Sequence, residues 1–135
     1  MANQYLHPDV FDDGLKTISD NANMKIVVCA GVPASVAEAS DALGEGSGKR
    51  VSSIIDLPAA DATLGDTTGG RKVGVASKSG TVAVAVADET NQLVVIYDTT
   101  RILAINDETK NQALTLNNPI TIPAFDIPNT VVQPE

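Results

Sequence analysis

The decapeptide DALGEGSGKR, residues 41–50, sets three glycines ahead of Lys49 and Arg50, the composition of a loop that cradles phosphate. In such a loop, backbone N–H groups and a helix N-terminus converge on the anion, which requires G-x-x-x-x-G-K-[ST] between a strand and a helix. Here Leu43 stands where the first glycine belongs, and Arg50 replaces the hydroxyl that would hold Mg²⁺. The context is also reversed, with a helical pattern before the loop and a β-like one after it. The segment therefore reads as a glycine-rich connection rather than a nucleotide site.

Nucleophilic catalysis needs Ser, Cys or Thr beside a base. The one histidine, His7, lies directly before Pro8 in an N-terminal stretch, and the one cysteine, Cys29, falls in the apolar run MKIVVCA. A thiol in such a run behaves as a small inert hydrophobe with a raised pKa. One His and one Cys cannot supply the four ligands of a zinc site. Acids are paired at Asp12/Asp13, Asp88/Glu89 and Asp107/Glu108 and spaced at Asp56, Asp61 and Asp66. None matches the calcium-loop pattern D-x-[DN]-x-[DN]-G. The pairs fall at a helix start or in turns, where carboxylates are ordinary, and for residues 56–66 a Ca²⁺ site is the alternative to solvated turns. A glycosidase-like carboxylate pair would lack its stacking platforms, because the chain has no Trp and only two Tyr. These residues predict a protein that is not an enzyme and carries no cofactor or metal.

The elements that would hold these residues follow from periodicity. Phe11, Leu15 and Ile18 recur at i, i+4, i+7 within PDVFDDGLKTISD, which predicts an amphipathic helix over residues 8–20 with Pro8 in its first turn and Asp9, Asp12 and Asp13 near the positive end of its dipole. MKIVVCA, residues 24–30, reads as a buried strand. Ser35 and Glu38 form a capping box that opens a second short helix to about Leu43. From residue 50 the texture is β: RVSSIID, RKVGVAS, TVAVAVAD, QLVVIYD, RILAIN, QALTLN and ITIPAFDI are separated by turn residues. The fold class predicted is mainly β, an antiparallel β-sandwich or barrel-like domain of about seven strands with the two helices. TVAVAVAD is expected as a central or interface strand, and LPAADATLGDTTGG, residues 57–70, as a long exposed loop. The division expected is an arm at residues 1–7 and one domain at 8–135.

The 135 residues carry a net charge of −8, and the nine basic residues are scattered. Such a surface disfavours a broad grip on nucleic acid. The longest apolar stretches, VAVAVA and LVVIY, are too short to span a bilayer, and MANQYLHPDV has neither a basic leader nor a long apolar run. No membrane association and synthesis in the cytoplasm are expected. With aromatic residues at 3% the core rests on Val, Ile, Leu and Ala, which favours burying more surface in an oligomer.

Four stretches, YLHPDVFDDGLKTI, IVVCAGVPASVAEA, GGRKVGVAS and ITIPAFDIP, span almost the whole chain. In that order they resemble small virion proteins of tailed bacteriophages, often encoded beside the major capsid protein. The resemblance implies a capsid decoration, or cement, protein of mostly β fold on the head surface, with the major capsid protein and further copies of itself, as dimer or trimer, for partners. An alternative is a surface or tail-associated β-sandwich module that binds host glycan or protein through loop 57–70. Tyr5, Leu6 and His7 are the candidate interaction residues, because Pro8 stops the helix from extending backwards and leaves an amphipathic anchor free to dock.

Overall fold

Residues 24–29 and 93–97 are apolar at almost every position, so the sheet they share needs cover on both faces. The computed structural model describes residues 5–6, 14–41, 49–67, 70–86, 92–106 and 113–128. Along the chain these form β1 (Tyr5–Leu6), α1 (Lys16–Ser19), β2 (Met24–Cys29), α2 (Val36–Ser40) and β3 (Ile55–Leu57). Next come β4 (Ala62–Thr67), β5 (Gly70–Val75), β6 (Lys78–Thr81), β7 (Leu93–Tyr97), β8 (Ile102–Asn106), β9 (Pro119–Ile122) and β10 (Phe125–Pro128). A 3-10 turn at Ala59–Asp61 precedes β4.

The architecture is mainly antiparallel β. A five-stranded sheet runs β1-β8-β7-β2-β3, a three-stranded sheet runs β10-β5-β4, and β6 and β9 form a two-stranded ribbon. The ribbon hangs from the segment before β3: Ser53 N donates to Thr81 O at 2.8 Å, Thr81 N donates to Ser53 Oγ at 3.1 Å, and Ser52 bridges Val82. Among the described residues the sheets do not close into a barrel.

Alternation on the central strands sorts side chains into two clusters. Met24, Ile26 and Val28 of β2 and Val94 and Ile96 of β7 join a main core that also takes Leu15 and Ile18, Val73 and Val75, Ile120 and Ile122, and Phe125 and Ile127. That core draws on all three sheets and α1. Val27, Cys29, Leu93, Val95 and Tyr97 point the other way and pack with Ala39 and Val36 of α2. A register irregularity between Ile96 and Tyr97 leaves Leu103 as the extra residue on β8. Leu103 and Ala104 therefore both reach the main core, while Ile105 and Ile102 lie in the outer cluster.

Several expectations are corrected. Residues 57–70 are not a long loop: after the 3-10 turn, β4 pairs with β5 at every residue from Ala62↔Val75 to Thr67↔Gly70. Ala62 is buried and Thr63 exposed, so the strand takes its side from the partner and the core, despite its small polar residues. TVAVAVAD is not one strand. Past Thr81 the backbone bends, with Ala83 N and Val84 N both donating to Val51 O, yet Val82 and Val86 still turn inward. RVSSIID forms β3 only at its end, with bridges at Arg50 and Ser52, and Leu114 of QALTLN makes a lone bridge to Val86. ITIPAFDI divides at Pro123 into β9 and β10, which lie in different sheets. The second helix ends at Ser40, short of Leu43. The first is described only from Gly14 onward, and its expected opening at residues 8–13 lies outside the described residues.

Candidate functional site

At the end of β2 the chain turns at Gly31, whose φ of 119° lies where side chains are strained. This turn lifts Val32 into solvent at 59% exposure before Pro33 tucks back. The Ser35 cap then starts α2: Ser35 Oγ accepts from Glu38 N at 3.2 Å, as in the expected capping box, while Glu38 Oε1 accepts from Ala34 N at 3.0 Å, one residue before the cap. Across from this turn stands β8. Val32, Pro33, Val36, Ile102 and Ile105 form the apolar part of a cleft of about 470 Å³, with Ser35, Thr100 and Arg101 supplying its polar part.

The β7–β8 turn fixes the Arg101 side of the cleft. Asp98 Oδ1 accepts from Thr100 N at 2.9 Å and Arg101 N at 2.8 Å, and Oδ2 accepts from Arg101 Nη2 at 2.9 Å and Asn21 Nδ2 at 3.1 Å. Burial alone would raise the Asp98 carboxyl, but these donors together outweigh it and hold the group below the usual carboxylate range.

The candidate arm meets this cleft from the side. Tyr5 pairs with Ile105, a residue of the cleft, and Leu6 pairs with Ala104, which makes β1 the edge strand of the main sheet. His7 lies outside the described residues. The cleft residues Val32, Ile102 and Ile105 were not among the sequence candidates. The one available signal was Val32 itself, a large apolar residue held between Gly31 and Pro33 in a turn.

The other residues singled out for chemistry have structural partners. Burial pushes the Cys29 thiol up to about 12, and the charge of nearby Arg50 only partly offsets it. Arg50, at the end of the glycine-rich decapeptide, acts as a clamp. Its Nε donates to Ser40 O at 3.1 Å, its Nη1 to Ser52 O at 2.7 Å, and its backbone N to Asp41 O at 3.0 Å. The two ends of the decapeptide are thus tied together, while residues 42–48 lie outside the described residues. Of the spaced acids, Asp56 pairs with Lys25, and Asp61 pairs with Lys78 at 2.7 Å. Lys72–Asp126 at 3.0 Å, Lys49–Asp41 at 3.5 Å and Arg101–Asp98 at 2.9 Å are further ion pairs.

The arrangement brings together an apolar cleft, a hydrogen-bonded rim and the edge strand β1. Compared with protein-family models, with curated proteins and with solved structures, the chain matches none.

Proposed function

We propose that this chain is a non-enzymatic decoration, or cement, protein of a tailed-phage head, made in the host cytoplasm and bound to the outside of the assembled shell as a dimer or trimer. The observation that carries the reading is the adjacency of β1 to the cleft. The arm pairs with the strand whose Ile102 and Ile105 line an apolar surface edged by the exposed Val32. The order of the four stretches that resemble phage virion proteins supports the same reading from the sequence. Apolar side chains beside a fixed polar rim suit a protein partner, because burying them contributes affinity while the rim sets orientation.

The mechanism is mass action. A protein that binds only the assembled shell stabilises it by its binding free energy, and many copies bridging neighbouring capsid subunits multiply the effect. Heads carrying the protein are therefore expected to melt at higher temperature than heads lacking it, as read by calorimetry or genome release. Equal melting of the two would overturn the proposal. The alternative of a glycan- or protein-binding module rested on a displayed loop at 57–70, and residues 62–67 of that stretch are strand β4, paired with β5.

A further inference from the structure

No further inference is drawn: the strongest candidate, the apolar cleft between the turn after β2 and strand β8, already belongs to the docking surface proposed above, and nothing in the structure shows what else covers it.

Discussion

Cys29 illustrates how a single residue is set by its surroundings. It sits at 0% exposure on the outer face of β2, packed with Ala39, Leu93 and Val95. A folded thiol held near 12 keeps its proton, whereas in the unfolded chain the same thiol ionises near its ordinary 9.0. The raised value means that Cys29 favours the folded state fully below about pH 9. That contribution is lost as pH rises towards 12, because only the unfolded chain gains by releasing the proton. Tyr97, also raised chiefly by burial, pushes in the same direction at its own, higher range. Denaturant titrations from pH 8 to pH 11 are expected to show stability falling with pH, and Cys29→Ala to flatten that fall while lowering stability at pH 7. Thiol reagents should label the wild-type chain only as it unfolds; rapid native labelling would mean that β2 does not bury this residue.

At the level of elements, the junction between β6 and the segment leading into β3 holds the ribbon to the main sheet, and it depends on a residue without a side chain. A Cβ at Gly80 would stand 2.5 Å from Ser53 Oγ and 2.9 Å from Ile55 Cδ1. Ser53 cannot simply rotate away, since its hydroxyl accepts from Thr81 N. Gly80→Ala is therefore expected to cost about 1–3 kcal/mol, the scale of an overpacked site, measured as a lower denaturation midpoint with unchanged slope. A neutral result would show the ribbon free to shift. The same junction marks the limit of what the sequence made legible. β2, β7 and β8 were readable because β-branched and aliphatic runs specify a buried strand by themselves, and the α2 cap was readable because Ser35 and Glu38 act over three residues. β4 was not, since Ala, Gly, Thr and Asp acquire a strand only from pairing with β5. TVAVAVAD misled because its valines do alternate inward, while the backbone beneath them bends around Val51 O. The cleft was beyond reach for a related reason: its lining comes from two turns and a strand distant in sequence, and pairing between β1 and β8 is a long-range event with no local signature.

For the molecule as a whole, the arm is an edge of the main sheet and, in the proposed function, part of the contact. β1 adds two paired residues at a sheet edge, while Leu15, the N-cap of α1, and Ile18 are buried in the main core. Deleting residues 2–7 is expected to leave a folded domain by circular dichroism, yet weaken binding to heads by about 1–3 kcal/mol, roughly 5- to 150-fold in affinity. Undiminished decoration by the truncated chain would remove the arm from the contact. The ion pairs described above lead elsewhere. Among residues whose side chains are described, Lys and Arg equal Asp and Glu in number, so the entire charge of −8 belongs to the remaining stretches. Cys29 pairs with Leu93 and bridges Arg50, and Val94 pairs with Asn106, so Arg50, Leu93 and Asn106 stand at one end of the main sheet. In the sequence, residues 42–48, 87–91 and 107–112 hold Glu45, Asp88, Glu89, Asp107 and Glu108 against Lys110, which is half of the net charge. Each copy brings a net charge of −8 to the particle that carries it, and copies on a shell add their charges. Decorated heads are expected to outrun bare heads towards the anode in a native agarose gel at pH 7. Their lead should shrink as the buffer approaches the chain's isoelectric point near 4.4, whereas equal mobility at pH 7 would mean that the bound chain adds no net charge to the particle surface.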